Sequence, residues 1–264
     1  MSTQLETLTV ARDEGVVTVT LNRPERKNAA NGTMWRELLA TFEEVTADRH
    51  DRVLVLTGAG GAFCSGADLG EPSNVAGRPG DPALLQMRAL GEVALRLHRI
   101  PKPTIAKVNG IAAGAGMSMA LGCDLVVASE DARFSQIFAK RGLSLDFGAS
   151  WLLPRLIGLH RAKELALLAE IIDAEAAADI GLVNRVLPAD QLDEFVDRWA
   201  RSLASGPPLA LSLTKSMLNN SLSLSFDQAI EEESRSQSAN FASHDTREAL
   251  VAFAEKREPR FEGR

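Results

Sequence analysis

Two glycine-spaced stretches and one isolated acid are the parts of this sequence that could do chemistry. Gly66-Ala67 and Gly114-Ala115-Gly116 each place small residues just after a buried-strand pattern, and the second opens a helix. Helix starts leave backbone N–H groups without intrahelical acceptors and carry the positive end of the helix dipole, so they favour negative charge. Two such amides converging on one point make an oxyanion hole, each donor supplying roughly a few kcal/mol in a transition state. Asp146 stands further along in an apolar run, GLSLDFGASW. Leu143, Leu145 and Phe147 around it would desolvate the carboxyl and raise its pKa toward that of a usable base. Each feature also has a plainer use. Glycines let a helix approach a sheet, and an aspartate just before a helix is most often an N-cap. Spacing alone leaves both readings open, with the cap the commoner.

Other chemistries find less support. The run GAGGAFCSGADL after VLVLT lacks dinucleotide-binding spacing, because Phe63 stands where the third glycine belongs. His50, His98, His160 and His244 show no ligand spacing, so no metal is expected. No Gly-x-Ser-x-Gly elbow occurs, and Ser65 has no base at a useful spacing. Cys64 and Cys123 lack CxxC spacing and read as reduced, buried packing thiols. Arg26-Lys27 sits in a polar loop, which is either solvated or able to meet a phosphate. A net charge of −6 argues against nucleic acid as a partner. The first residues form no signal peptide, and no apolar run approaches membrane length. A cytoplasmic protein without membrane partners is the expectation.

The elements that must position these residues can be read from periodicity. Leu5–Val10 and Val16–Leu21 read as a hairpin over Asp13-Glu14-Gly15. Met34, Leu38, Phe42 and Val45 recur at helical spacing, giving a helix over 31–47, and Val53–Thr57 reads as a strand buried on both faces. Residues 70–82, rich in Gly and Pro, read as a surface loop lying over the site that follows. A helix through Leu84–Leu97, a strand at Thr104–Val108, a short helix from Met117 and a strand at Leu125–Ala128 come next. Helices are expected at 147–157, 160–169 and 173–180, and a last strand at Val183–Leu187. Four helical segments complete the chain. The fold class is therefore α/β, with 1–190 as a strand-and-helix core carrying the site. Residues 191–264 form a helical region for docking or subunit assembly.

Taken together, LNRPERKNA, AFCSGADL, KPTIAKVNGIAAGAGMSMALGCDL, GLSLDFGASWLLPRLIG, IGLVNRV and AFAEKR, in this order, make the chain resemble the crotonase (enoyl-CoA hydratase/isomerase) superfamily over essentially its whole length. The resemblance implies a spiral of ββα turns with a C-terminal helical region that builds homotrimers or dimers of trimers. It implies an acyl-CoA thioester substrate, with coenzyme A as part of the substrate and no separate cofactor. The thioester oxygen would be held by the N–H groups of Ala67 and Ala115. The segment Ser65, Gly66, Asp68 and Leu69 would lie against the adenine. Arg26 and Lys27 would lie near CoA, and Phe253 and Lys256 would reach it from a neighbouring subunit.

Departures from the family pattern narrow the chemistry. Typical hydratases of the family carry two glutamates, and aligning the motifs puts Ser118 and Phe138 there, neither able to move a proton from carbon. Asp146 falls where the dienoyl-CoA isomerases, the epoxyphenylacetyl-CoA isomerase and the chlorobenzoyl-CoA dehalogenase keep an aspartate. One carboxylate suffices to take a proton from one carbon and return it at another. The expectation is an enoyl-CoA isomerase with Asp146 as proton shuttle. An enoyl-CoA hydratase working with Asp146 alone, and a CoA-binding or RNA-associated family member with little catalysis, are the alternatives.

Overall fold

The computed structural model describes residues 2–70 and 82–264. All but the ends of the loop expected over 70–82 lies outside the described residues. In chain order the elements are β1 (Ser2–Gln4), β2 (Leu8–Asp13), β3 (Val16–Leu21), α1 (Gly32–Ala47), β4 (Val53–Gly58), β5 (Ala62–Cys64), α2 (Ala83–Arg99), β6 (Thr104–Val108), β7 (Ile111–Ala113), α3 (Ala115–Leu121), β8 (Leu125–Ser129) and β9 (Arg133–Ser135). They continue with α4 (Ala149–Leu168), β10 (Ile172–Asp173), α5 (Ala174–Asp179), β11 (Arg185–Leu187), α6 (Leu192–Ala204), α7 (Pro208–Asn220), α8 (Phe226–Ala242) and α9 (His244–Glu255).

Strands are dealt to two sheets. The larger runs β1-β2-β3-β4-β6-β8-β11, antiparallel as far as β3 and parallel beyond it. The smaller runs β10-β9-β7-β5, with β5, β7 and β9 parallel and β10 antiparallel. The pairs β4/β5, β6/β7 and β8/β9 each give one strand to each sheet before the chain returns. Successive turns therefore stack as the expected ββα spiral. The stacking follows from composition: every residue of VLVLTG in β4 is buried, as a strand covered on both faces requires.

Local signals explain most boundaries. Asn31 caps α1, its side chain accepting the Met34 N–H at 3.0 Å, and Met34, Trp35, Leu38, Phe42 and Val45 form the buried stripe. The hairpin is displaced from the expected Leu5–Val10: the N–H and hydroxyl of Thr7 both donate to Glu37, which bends the chain before β2. The two helices expected at 147–157 and 160–169 are both present within α4, separated by Gly158, where φ is 75°. The expected Val183 strand begins only at Arg185, because Leu182 and Val183 close the turn after α5 and fill the main core.

Two cores divide the sheet's faces. The larger holds α1, α2, α3, α4 and α5, and the smaller packs Val16, Val53, Val55, Ile105 and Val127 against Leu192, Val196, Ala200 and Ala204 of α6. So α6, assigned by sequence to the helical region, lies on the sheet. Farther on, α7 is tied to the core through Lys215, whose ammonium meets Asp124 at 2.7 Å and donates to Lys102 O at 3.0 Å.

Candidate active site

The site is built from the ends of three neighbouring elements. At the first, Ala30 and Ala67 pair as an isolated parallel bridge. Ala30 N–H donates to Gly66 O at 2.8 Å, and Asp68 N–H donates to Ala30 O at 2.9 Å. In such pairing the residue opposite turns its own amide to the other side, so the Ala67 N–H is directed away from Ala30. The second element is α3, entered through Gly114, whose φ of 52° and ψ of −127° is backbone that only glycine adopts freely. That turn sets Ala115 at the first helical position, where its N–H has no intrahelical acceptor. Neither the Ala67 nor the Ala115 amide donates to a backbone carbonyl of the described residues.

Close packing brings the segments that carry the two amides together. β5 pairs with β7 (Cys64 with Ala112), so the segment after Cys64 runs beside the segment that enters α3. A methyl group on Gly116 would lie 2.2 Å from Cys64 O, and only a glycine permits that approach. One placed on Gly66 would sit 3.8 Å from the Ala115 nitrogen. Two unpaired amides at the meeting of β5 and α3 are the arrangement an oxyanion hole needs.

The third element is the turn before α4, and here the N-cap expectation for Asp146 is overturned. Gly148 occupies the capping place, and no side chain caps the helix. Left-handed Phe147 (φ 50°) and Gly148 (φ 83°) separate Asp146 from the helix start, and only its main-chain carbonyl is used there, accepting Ala149 N–H at 3.0 Å. Its carboxylate oxygen Oδ1 is buried and finds no hydrogen-bond partner among the described residues. That burial pushes the carboxyl up to about 6. The desolvating wall differs from the expected one: Leu145 packs on the core and Phe147 lies 5.5 Å from Trp35, while Leu143 is 52% exposed.

Phe138 lies between the entry to α3 and the segment that leads to Asp146. A side chain on Gly114 would meet the Phe138 ring at 3.7 Å, and the Phe138 carbonyl accepts Leu143 N–H at 3.0 Å. The segment leading to Asp146 thus leaves from a residue lying against the entry to α3. Ser118 is fully buried, and its hydroxyl donates back along the helix to Gly114 O at 3.1 Å. At the two positions where the family pattern has glutamates, the site presents a self-satisfied hydroxyl and an aromatic ring.

The residues tied by resemblance to CoA divide into three groups. Arg26, Lys27 and Ser65 share one edge: Ser65 N–H donates to Lys27 O and the Ser65 hydroxyl to Arg26 O, with both basic side chains exposed beside Gly66 and an exposed Leu69. Asp68 instead faces inward, in an ion pair with Arg23 at 2.9 Å whose side chains are only 10% (Arg23) and 7% (Asp68) exposed. Burial acts to raise the Asp68 carboxyl, but the Gly70 amide and the Arg23 guanidinium outweigh it and hold the group below the usual carboxylate range. Phe253 and Lys256 lie exposed at the end of α9. The Arg23–Asp68 pair escaped sequence reasoning, which met Arg23 only within the motif LNRPERKNA. A partner forty-five residues away leaves no local trace.

A cavity of about 760 Å³ opens from Phe147-Gly148 between α2, α4 and α7, lined also by Leu95, His98, Trp151 and Lys215. Its volume is that of a small-molecule site, and its wall begins at the residue after Asp146. Cys64 and Cys123 are buried thiols whose burial pushes each up to about 12, so neither supplies a thiolate. The described residues contain no cluster of potential metal ligands.

The family model described as enoyl-CoA hydratase/isomerase matches residues 11–264. The 1,2-epoxyphenylacetyl-CoA isomerase of Escherichia coli (strain K12) is 40% identical, covering 96% of this chain and 97% of its own. A Rhodobacter capsulatus protein named "Probable enoyl-CoA hydratase" is also 40% identical, over 95% of this chain and 96% of that one. The crystal structure of an enoyl-CoA hydratase from Bacillus anthracis superposes with a TM-score of 0.92 at 31% identity, covering 98% of this chain and all of that one. Isomerase and hydratase names occur at equal identity, so the reaction has to be argued from the site.

Proposed function

The chain belongs to the enoyl-CoA hydratase/isomerase family and is an enzyme of that type; from this premise we propose that it moves the double bond of an enoyl-CoA, with Asp146 as the proton shuttle. In this reading the amides of Ala67 and Ala115 hold the thioester oxygen, which acidifies the α-carbon and stabilises the enolate. Asp146 takes a proton from C2 of a 3-enoyl-CoA, electrons shift into the carbonyl, and a dienolate forms. The carboxylic acid then returns the proton at C4 as the electrons move back, leaving the 2-enoyl-CoA. Proton and charge balance without water. The acyl group would extend toward the cavity beside Phe147, and CoA along the Arg26–Lys27–Ser65 edge.

The observation that carries this reading is the state of the Asp146 carboxylate. It is desolvated, unpartnered at Oδ1 and poised to exchange a proton near neutral pH. Hydration would need a base for water and an acid for carbon, and Ser118 and Phe138 supply neither. The hydratase reading keeps one support, the hydratase-named relative at 40% identity.

The deciding experiment incubates wild type and Asp146→Asn with 3-enoyl-CoA and with 2-enoyl-CoA, and identifies the products. Wild type is expected to convert 3-enoyl- to 2-enoyl-CoA and to hydrate 2-enoyl-CoA poorly. Asp146→Asn is expected to lose at least about 10²-fold in kcat with little change in KM. Efficient hydration with 3-enoyl-CoA untouched, or an undiminished Asp146→Asn, would overturn the proposal.

A further inference from the structure

We propose that Arg23 and Asp68 form a clamp that aims the Ala67 N–H, and that both are positioning residues for the reaction. The inference rests on the reading of Ala67 as an oxyanion donor. One nitrogen of Arg23, Nη1, donates to Ala29 O at 2.6 Å and to Asp68 Oδ2 at 2.9 Å. Those acceptors lie on the two facing segments of the Ala30–Ala67 bridge, so a single guanidinium holds both sides together. The other oxygen of Asp68 accepts Gly70 N–H at 3.0 Å, and the Asp68 N–H is already given to Ala30 O. The residue after Ala67 is therefore held at its amide and at both carboxylate oxygens.

The clamp is itself rooted in the fold. Arg23 N–H donates to Asn28 Oδ1 at 2.9 Å, and Asn28 Nδ2 donates to Ala59 O and Ala62 O at 2.9 and 2.8 Å. Asn28 is fully buried, so this network ties the end of β3 to the loop that enters β5. Ala67 carries only a methyl group and cannot fix its own peptide plane. An oxyanion donor must stand about 2.7–3.1 Å from the developing charge, and removing one costs about 10²–10³ in kcat. A loosened Asp68 would let that plane swing while leaving the Ala115 donor in place. Asp68 thus acts through Ala67 rather than by touching substrate.

The test compares wild type with Arg23→Lys, Asp68→Asn and Asp68→Ala. The readout is the infrared carbonyl band of bound butanoyl-CoA labelled with 13C at the thioester carbon, which has no double bond to move. In wild type the band should fall to lower frequency on binding, since two amides polarise the carbonyl. Asp68→Ala should recover only part of that shift and lose about 10- to 10²-fold in kcat with KM little changed. Asp68→Asn, which keeps an acceptor oxygen, should lie between Asp68→Ala and wild type, and Arg23→Lys, which lacks the planar fork, should also be intermediate. The acid limb of the pH–rate profile should not move, because Asp146 is untouched. Variants that melt earlier yet show the full carbonyl shift and full kcat would reduce the pair to a structural role and overturn the inference. Should Asp68→Ala fail to fold, Asp68→Asn and Arg23→Lys carry the same comparison. A wild-type band that does not shift, with isomerisation present, would remove the oxyanion reading itself and the clamp with it.

Discussion

Asp146 shows how function is set against stability at one side chain. An aspartate ordinarily near 3.8 is pushed to about 6 here because burial penalises its charge without a compensating partner. The folded state therefore holds the proton more tightly than the unfolded state does. Between about pH 4 and 6 the folded carboxyl stays neutral while the unfolded one ionises, so stability falls as pH rises through this window. Above pH 6 the folded protein bears a cost of roughly 3 kcal/mol at most, from a shift of about two units. Asp146→Asn should accordingly raise Tm at pH 8 and lose that advantage at pH 3.5, as thermal melts at the two values would show. In parallel, kcat/KM of wild type should climb through about pH 6 and then level, because the free enzyme needs the ionised base. A profile flat from pH 5 to 8 would contradict the shuttle.

At the scale of elements, the decisive contact is β5 against the start of α3. Gly116 lets the helix backbone come so close to Cys64 O that a methyl group would lie at 2.2 Å, and neither backbone can yield cheaply. Gly116→Ala should destabilise by about 1–3 kcal/mol as an overpacked contact. It should also pry the Ala67 segment from Ala115, so kcat should fall further than stability alone accounts for. Activity at a temperature where the variant is fully folded separates the two effects. Unchanged kcat there would mean the amide pair tolerates a wider gap. Glycine-rich punctuation near Ala112–Gly116 was visible in the sequence, but that its partner is Cys64 depended on how β5 pairs with β7.

Over the whole molecule, the helices beyond the sheet leave large apolar side chains uncovered. Phe241 on α8 is 72% exposed and Phe253 on α9 is 86% exposed, and Phe226 and Leu250 are exposed as well. Where such side chains form one patch, they mark an interaction face. Read with the trimeric assembly that the family resemblance implies, it is expected to give a solution mass of three or six 28.4 kDa chains by light scattering. Phe241→Asp should shift that mass toward the monomer. A wild type that runs as a monomer at micromolar concentration would refute the expectation. Assembly would also settle whether Phe253 and Lys256, far along the chain from the Arg26–Ser65 edge, meet CoA bound by another copy.

What sequence alone determined was local. The alternation of buried strands and amphipathic helices, the helix starts and the two amide stretches are legible because each depends on a few neighbouring residues and a short period. Ordered motifs such as AFCSGADL and GLSLDFGASWLLPRLIG made the spiral and its acyl-CoA chemistry expected before any coordinate. Tertiary structure decided what is non-local. It paired Ala30 with Ala67, brought Gly66 against Ala115, and placed α6 on the sheet rather than among the outer helices. It turned Asp68 inward to Arg23 and released Asp146 from the helix start, leaving its carboxylate desolvated. The physical reason is common to all of these. Desolvation and charge pairing belong to the space around a side chain, and that space is filled by residues distant in sequence.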